Sequence, residues 1–184
     1  MLRGLAGELG PDGKIRAPRP GLCEPKDFWR KRVGIVTPHR AQRSRIVQRL
    51  RSIFTGADHA LDDIRSAVDT VERFQGQQRD VVIASFALGD PDEIGEEAEF
   101  LFSLRRFNVM ASRARVKLIV LVSREVIDYM SDDVDVLRES RLLKVYAEAA
   151  CGESEDVALP WIDGNGQTCW RQGSLRWHPE TTAA

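Results

Sequence analysis

The sequence predicts an α/β domain in which helices cover both faces of a mainly parallel sheet. Three short aliphatic runs, at residues 33–36, 81–86 and 118–122, alternate with segments whose apolar residues recur at helical spacing. Such runs are typical of parallel strands that are buried on both faces, whereas one-sided sheets alternate apolar and polar residues. A length of 184 residues gives one such domain enough chain to bury a core of its own.

The first strand and the first helix are the clearest elements. After the first aliphatic run, Thr37-Pro38 offers an N-cap residue followed by proline at the first helical position. Apolar residues at helical spacing then predict a helix that continues to Gly56. Residues 57–66 are polar and predict a loop, and residues 67–71 predict a second strand.

The later elements alternate in the same way. A third strand covers residues 81–86, and the acidic stretch at 89–99 predicts a surface loop. Residues 102–114 predict a helix that leads into the fourth strand. After that strand we expect a short helix capped by Ser123 and a last helix over residues 134–150.

The two ends of the chain differ from this α/β domain, which we place at residues 28–150. Residues 1–27 carry five glycines and four prolines and predict a loop or linker. Residues 151–184 hold three of the four tryptophans, and the Gly-Asn-Gly at 164–166 predicts a turn, so that a hairpin is one interpretation. The tryptophans of this tail would form either a small core patch or a contact with a partner.

Composition excludes several classes of protein. The 27 basic and 28 acidic residues give a net charge of -1, which excludes a uniformly basic nucleic-acid coat. No run of 18 apolar residues occurs, so we expect no membrane partner. Three widely spaced cysteines form neither a disulfide framework nor a metal pair, and no metal site is predicted. The 22 arginines against five lysines indicate a GC-rich bacterial genome, and without a secretory signal we expect a cytoplasmic protein.

The near-neutral total hides an uneven distribution of charge. Residues 28–57 contain eight basic residues and no acid, whereas residues 90–99 contain six acids and no base. Such segregation suits a protein that presents one face to a polyanion. Two solvated faces that differ in charge would give the same pattern.

Ligands of parallel α/β sheets bind outside the carboxyl ends of the strands, so the residues that follow each strand are candidates. Arg40 follows the first strand at a helix N-terminus, which either binds a phosphate or is an ordinary helix cap. Gln75-Gly76 either lets the backbone approach a ligand closely or forms a plain turn. The neighbouring Phe74 is interpreted as a core anchor.

A further candidate lies on the predicted helix before the fourth strand. Arg106 and Arg113 are seven residues apart and would share one face of that helix. A planar guanidinium at a helix end can clamp a phosphoryl group with two parallel hydrogen bonds. The alternative is a basic face in solvent.

Three segments of the sequence, taken together and in order, identify a family more specifically than any one of them does alone. They are Val33–Gln42 (VGIVTPHRAQ), Val68–Phe86 (VDTVERFQGQQRDVVIASF) and Arg105–Arg115 (RRFNVMASRAR). Their types, order and spacing resemble motifs IV, V and VI of the second RecA-like domain of superfamily 1 helicases. The resemblance is to the branch that contains the nonsense-mediated-decay helicase and its DNA-helicase relatives, and it covers about residues 30–130.

The resemblance implies a three-layer RecA-like domain of the P-loop NTPase type and ATP-driven translocation on nucleic acid. ATP and Mg²⁺ would bind between two RecA-like domains, and the first domain would bring the P-loop and the acid that binds the metal. By resemblance, Arg113 is the catalytic residue that stabilises charge developing on the γ-phosphate. The residues implied for the nucleotide are Gln75, Gly76, Gln78, Arg106 and Arg113, and those implied for nucleic acid are Thr37, Arg40 and Thr70.

Two positions depart from the family pattern. Gln78 stands where the family usually has an acid, so a neutral amide replaces a carboxylate near the nucleotide. His39 stands where the family often has a tyrosine, and it would either stack on a ligand or be an ordinary loop histidine.

The sequence contains neither a GxxxxGK[ST] motif nor a strand that ends in an Asp-Glu pair. We therefore expect a fragment or one subunit of a larger helicase that acts on single-stranded nucleic acid, with DNA favoured. It would hydrolyse ATP only together with the N-terminal RecA-like domain of the same protein. The alternative is a non-catalytic module with a RecA-like fold that binds nucleic acid or protein.

Overall fold

The structure is a computed structural model, and it describes residues 8–9, 15–16, 24–54, 59–74, 76–86 and 88–179. Its central sheet consists of β1 (Val33–Thr37), β2 (Val68–Thr70), β3 (Arg79–Phe86) and β4 (Ala114–Val122). The strands lie in the order β2-β1-β3-β4, and every pairing between them is parallel. The strand β1, which comes first among these four along the chain, is therefore an inner strand of the sheet.

One face of the sheet is covered by the helical segments that flank β1. They are Pro25–Asp27, which continues as a π-helical turn, Phe28–Arg32, and then α1 (Arg40–Ile53) and α2 (Leu61–Ala67). Alternate residues of a strand point to opposite faces, and Val33 and Ile35 of β1 point to this one. The buried residues around them are Phe28, Trp29, Val47, Phe54, Ile64, Ala67 and Val68.

Helices from the second half of the chain cover the other face. They are α3 (Pro91–Glu96), α4 (Ala98–Leu101), α5 (Leu104–Ala111), α6 (Arg124–Ile127) and α7 (Val134–Val145), which continues as a π-helical turn, Tyr146–Ala150. Val82 and Ala84 of β3 pack beneath them and are 0% and 1% exposed. Helices thus lie on both faces of a parallel sheet, which confirms the predicted three-layer α/β RecA-like fold.

Two segments that were predicted as loops are helical. Of the described residues in the predicted loop 57–66, most belong to α2, and the acidic stretch 89–99 contains α3 and the start of α4. Ile64 in α2 and Ile94 in α3 are each 0% exposed. A helix of six or seven residues with one large buried side chain shows little periodicity in the sequence, because packing rather than propensity stabilises it.

The start of the first helix also differs from the prediction. Thr37 is not the N-cap residue, because it still belongs to β1, where it pairs with Thr70 of β2. His39 is the N-cap residue, and α1 begins at Arg40. Strand pairing therefore extends through the residue that the local pattern assigned to the helix.

The predicted helix over residues 102–114 is shorter than expected. The helix α5 ends at Ala111, and the next two residues form a turn before β4. Arg113 therefore follows the helix, and it does not share a helix face with Arg106 as the spacing predicted.

The tail at 151–184 contains a long β-hairpin, which was one of the two interpretations of its sequence. The strands β5 (Glu153–Ile162) and β6 (Thr168–Trp177) pair antiparallel over their whole length. Asp163 shapes the turn, because its Oδ1 accepts hydrogen bonds from two backbone N–H groups of the loop. Gly166 in the same turn has a φ of +80°, a conformation that favours glycine.

The predicted linker at residues 1–27 lies largely outside the described residues. Within it, Glu8–Leu9 and Ile15–Arg16 form a short antiparallel pair, and the helical segment that precedes β1 starts at Pro25. Among the described helices, none has the length and apolar character that crossing a membrane requires.

Candidate functional site

The residues that the motifs singled out lie at two opposite edges of the sheet. Parallel strands share one direction, so their carboxyl ends meet at one edge and their amino ends at the other. Thr37 and Thr70 end β1 and β2 at the carboxyl edge. Arg113 directly precedes β4 at the amino edge, and Gly76 comes three residues before β3. The candidate site therefore has two separate parts.

A cleft of about 330 Å³ opens at the carboxyl edge, between the start of α1 and the end of β2. Its lining brings three guanidinium groups together with one carboxylate, so the cleft carries net positive charge. The N-terminus of α1 adds the positive end of a helix dipole, and no side chain caps it. The lining residues are Arg40, Arg43, Ser44, Asp69, Thr70 and Arg73.

The three arginines of this cleft differ in how firmly they are held. Arg43 Nε donates to the carbonyl of Val68 at 2.9 Å and lies 3.3 Å from Asp69 Oδ1. Arg73 is 3.7 Å from the same oxygen, but its side chain is 69% exposed, so water weakens this ion pair. Arg40 is exposed, and among the described residues its guanidinium has no hydrogen bond or ion pair. Arg40 is therefore the cation most available to a polyanion.

Thr37 is 0% exposed, although the resemblance places it against the nucleic-acid backbone. Its Oγ1 donates to the side-chain carbonyl of Gln42, and Gln42 Nε2 donates to Ser85 Oγ at 2.9 Å. These hydrogen bonds join the ends of β1 and β3 to the first turn of α1. Thr37 is therefore buried behind the cleft and orients the N-terminus of α1 through Gln42, whereas Thr70 lines the cleft itself.

An aromatic ring from α4 holds two of the motif residues at the carboxyl edge. The guanidinium of Arg106 lies 3.8 Å from the ring centre of Phe100, and His39 stacks on the same ring with the centres 6.1 Å apart. Arg106 Nε also donates to Glu72 at 3.2 Å, and His39 Nε2 lies 3.1 Å from Glu97. His39 therefore stacks, but on a ring of its own chain.

The loop between β2 and β3 runs to the amino edge. Phe74 is 1% exposed, which confirms it as a core anchor, and it covers Gly34, where a Cβ would lie 2.4 Å from Phe74 Cζ. Gly76 has a φ of +84°, and no atom lies within 4 Å of the place of its missing Cβ. The backbone is therefore open to a ligand at this point. Gln78 is exposed nearby, and Gln75 lies outside the described residues.

Arg79 is a buried cation that the residue pattern did not identify. It is 7% exposed, and its guanidinium packs 5.4 Å from the ring centre of Phe74. Its Nη2 donates to Gln77 Oε1 at 2.8 Å, and its Nη1 donates to the carbonyl of Gln78 at 3.0 Å. Burial lowers the pKa of Arg79 from its ordinary value, and the positive charge of Arg115 lowers this pKa further. Arg79 thereby holds the β2–β3 loop in place.

Arg113 lies beside Arg79 in the turn between α5 and β4. The backbone N–H of Arg79 donates to the carbonyl of Arg113 at 3.0 Å. The Nε of Arg113 is buried, and within the described part of the chain it has no hydrogen-bond partner. Arg106 lies in the first turn of α5, at the opposite end of that helix from Arg113. The structure thus keeps the two motif VI arginines apart.

The two edges are suited to anions of different kinds. At the amino edge, Arg79 and Arg113 each have a buried Nε that is unpaired among the described residues, and the half-buried Arg113 can donate to a phosphoryl oxygen. At the carboxyl edge, exposed arginines can contact several phosphates of a polymer. The described residues contain no group of three or more His, Cys, Asp or Glu that could hold a metal ion.

Comparisons with known proteins identify the family of this chain. A family model described as an AAA domain matches residues 21–125, which is more than half of the chain. Probable RNA helicase armi of Drosophila melanogaster is 36% identical over 92 residues, which cover 48% of this chain and 7% of the relative. DNA polymerase alpha-associated DNA helicase A of Saccharomyces cerevisiae is 31% identical over 132 residues, which cover 71% and 16%. Probable helicase senataxin of Homo sapiens is 35% identical over 96 residues, which cover 52% and 3%.

The chain spans only 3% to 16% of the length of these relatives. They and a further relative from Dictyostelium discoideum are eukaryotic, which contradicts the expectation of a bacterial source. Arginine usage follows the base composition of a genome, so it was a poor guide to the source. The family match shows that the chain belongs to the AAA domain family, in which it is a helicase domain of superfamily 1.

Proposed function

We propose that this chain is the C-terminal, second motor domain of an ATP-dependent helicase. In this proposal Arg113 is the arginine finger, and the carboxyl-edge cleft is part of the track for single-stranded nucleic acid, with DNA as the expected substrate. A first motor domain, N-terminal to this chain, completes the site with the P-loop and the Mg²⁺ ligands.

The observation that carries the proposal is the buried Nε of Arg113, which has no hydrogen-bond partner among the described residues. The Nε of the adjacent Arg79 is buried and unpaired as well, but the Nη atoms of Arg79 are already bonded to its own loop. A buried donor without an acceptor costs about 1–3 kcal/mol, and more when the group is charged. An anionic ligand that offers an oxygen here would remove that cost. Because a guanidinium forms short, paired hydrogen bonds with phosphoryl oxygens, a phosphate fits this position best.

ATP, when bound, supplies the γ-phosphoryl group that is transferred to water. Arg113 would donate hydrogen bonds to the oxygens of that group as negative charge accumulates on them. The backbone N–H of Arg79 bonds to the Arg113 carbonyl, and the Arg79 side chain bonds to the β2–β3 loop. Gly76 has no side chain, so the nucleotide could approach the backbone of this loop. Gln78 would bind through a neutral amide, and the contact of Gln75 stays a prediction. We assign the Mg²⁺ ligands to the first motor domain, since the described residues offer no cluster for a metal.

The carboxyl edge is the part that we assign to nucleic acid. Arg40 and Thr70 line a positively charged cleft whose N-terminal helix dipole also favours phosphate. Phosphate contacts carry no sequence preference, which suits a protein that moves along a strand. Thr37 would act through Gln42 rather than by direct contact. Arg106 lies at this edge too, and its contact with the nucleotide stays a prediction.

A non-catalytic binding module with the same fold is the alternative. The neutral Gln78 and the lack of a P-loop motif in this sequence favour it. The unpartnered Nε of Arg113 within the described chain favours the motor. A GxxxxGK[ST] segment encoded upstream in the same reading frame would support the motor over the module.

The proposal is tested by nucleic-acid-stimulated ATP hydrolysis, in a protein where this chain follows a domain with a GxxxxGK[ST] motif. We expect Arg113→Ala to lower kcat about 10³-fold, with little change in the KM for ATP. Arg115→Ala is the matched control, because Arg115 lies at the same edge, 3.7 Å from Asp80, and should change kcat by about twofold at most. Equal losses in both variants contradict the proposal. So does clear ATP turnover by the 184-residue chain alone that Arg113→Ala abolishes.

A further inference from the structure

The hairpin formed by β5 and β6 has one apolar and one mainly polar face. Alternate residues of a strand point to opposite faces, and cross-strand pairs such as Leu159–Arg171 show which residues share a face. The apolar hairpin face consists of Glu153, Glu155, Val157, Leu159, Trp161, Cys169, Arg171, Gly173, Leu175 and Trp177. Most of its area belongs to large hydrophobic side chains, whereas Trp170 belongs to the other face.

The rest of the domain leaves the apolar hairpin face open. Its largest side chains are exposed, at 39% for Trp161, 41% for Trp177, 52% for Leu159 and 53% for Leu175. Within the described residues, the single hydrogen bond that ties the hairpin to the preceding segment runs from Arg176 Nε to the carbonyl of Cys151, at 3.5 Å. A two-stranded hairpin alone is marginally stable in water, so this face is expected to be covered by a partner.

The charges of the hairpin argue against nucleic acid as that partner. Between Glu153 and Trp177 four carboxylates outnumber two arginines, so a polyanion would be repelled. The guanidinium of Arg171 lies 4.5 Å from the centre of the Trp161 ring, where a base would otherwise stack. The same excess of carboxylates disfavours an anionic membrane surface.

We propose that the apolar hairpin face binds the same face of a second copy of this chain, with the two hairpins stacked antiparallel. Charges of both signs lie at different positions along the strands of this face. Glu153 and Glu155 lie near the open end of the hairpin, and Arg171 lies nearer the turn. A two-fold axis between the hairpins, perpendicular to the strands, brings Arg171 of each copy beside Glu155 of the other. Apolar residues then meet in one symmetric contact, in which each Arg171 offsets one of the two glutamates that each face carries.

The centre of the face allows the two sheets to approach each other. Leu159 lies over Gly173, where a Cβ would be 2.7 Å from Leu159 Cδ1. Because the Leu159 side chain fills the space that a Gly173 side chain would take, the middle of the face is flat. A flat face suits the packing of two sheets about 10 Å apart. The exposed parts of the large side chains and their neighbours sum to roughly 1,000 Å² for two copies, the lower end for a specific interface. An interface of this size belongs with weak, transient contacts.

Analytical ultracentrifugation of the 184-residue chain, from about 1 to 200 µM, measures this association. We expect dimer to accumulate as the concentration rises. Trp161→Ala together with Trp177→Ala should raise the Kd about tenfold or more. Trp170→Ala is the matched control, because Trp170 is 66% exposed on the other face of the same hairpin, and it should leave the Kd unchanged. Circular dichroism checks that each variant is folded.

A charge exchange tests the antiparallel stacking itself. Arg171→Glu and Glu155→Arg should each weaken the dimer, whereas both substitutions together restore it, because the pairs then form with reversed signs. A chain that stays monomeric at about 200 µM overturns the proposal, and so does a Trp170→Ala variant that loses association as the apolar-face variant does. Binding of a single-stranded oligonucleotide that is lost with Trp161→Ala overturns it as well. None of these outcomes depends on the proposed helicase function.

Discussion

The two edges of the sheet hold their arginines in different ways. At the amino edge, Arg79 is 7% exposed and its Nη atoms are bonded to the β2–β3 loop, while the Nε atoms of Arg79 and Arg113 are both buried without a partner among the described residues. At the carboxyl edge, Arg40 is exposed, and Arg73 is 69% exposed beside the one carboxylate of the cleft.

This difference separates two kinds of anion binding. A packed edge with a preorganised donor suits one anion held in a fixed position, where little reorganisation is needed as charge develops. An exposed edge suits several contacts that water and salt weaken, so that a polymer can exchange them as it moves. The amino edge is therefore the part to which we assign chemistry, and the carboxyl edge the part to which we assign the strand.

The largest effect on stability is expected for Gly34→Ala at the amino edge. The new Cβ would lie 2.4 Å from Phe74 Cζ and 2.9 Å from Arg79 Cγ, and both side chains are packed. We expect the free energy of unfolding to fall by about 3 kcal/mol in urea denaturation. Gly89→Ala is the control, with no atom within 4 Å of the new Cβ. Similar losses in the two variants would show that the amino edge is not tightly packed.

A smaller loss of stability is expected for Arg79→Met. It removes donors from Gln77 and Gln78 inside a packed site, and we expect a loss of about 1–2 kcal/mol. Arg73→Met at the carboxyl edge is the matched change, and it should cost about 0.5 kcal/mol at most because the Arg73 side chain is 69% exposed. Urea denaturation of both variants measures the contrast, and equal losses would remove the distinction between the edges.

The smallest effect on stability, but a measurable one on binding, is expected for Arg40→Gln. If Arg40 contacts a phosphate, the slope of log Kd against log salt for single-stranded DNA should become shallower by about 0.7. Arg115→Gln at the amino edge should leave that slope unchanged. Fluorescence anisotropy at several salt concentrations measures both. A slope that falls with Arg115→Gln and not with Arg40→Gln would reverse the assignment of the two edges.

The strands could be predicted from the sequence because each inner one is an aliphatic run that fills the core. Val36 and Val82 are both 0% exposed, and their neighbours along the chain are apolar as well. The helices α2 and α3 could not be predicted, because each is short and buries one large side chain, Ile64 or Ile94. Only the assembled sheet shows what such a side chain packs against, since propensity alone does not stabilise so short a helix.

The residue types of the candidate site could be predicted, but its layout could not. The motifs identified Arg40 and Arg113, yet no spacing rule places them at opposite edges of a sheet. Arg106 and Arg113 do not share a helix face because α5 ends at Ala111, and the continuous helical pattern of the sequence concealed this helix end. The burial of Arg79 could not be predicted from the sequence, because it depends on contacts with residues that are brought together only in the folded structure.

The role of Arg113 is tested most directly by comparing the binding of ADP with that of ADP–aluminium fluoride, which mimics the phosphoryl group during transfer. The measurement uses a protein in which this chain follows a P-loop domain. If Arg113 acts on charge that develops during transfer, Arg113→Ala weakens binding of the ADP–aluminium fluoride complex about 100-fold and binding of ADP about threefold at most. Equal weakening of the two ligands, or no change in either, would contradict the assignment of Arg113 as the arginine finger.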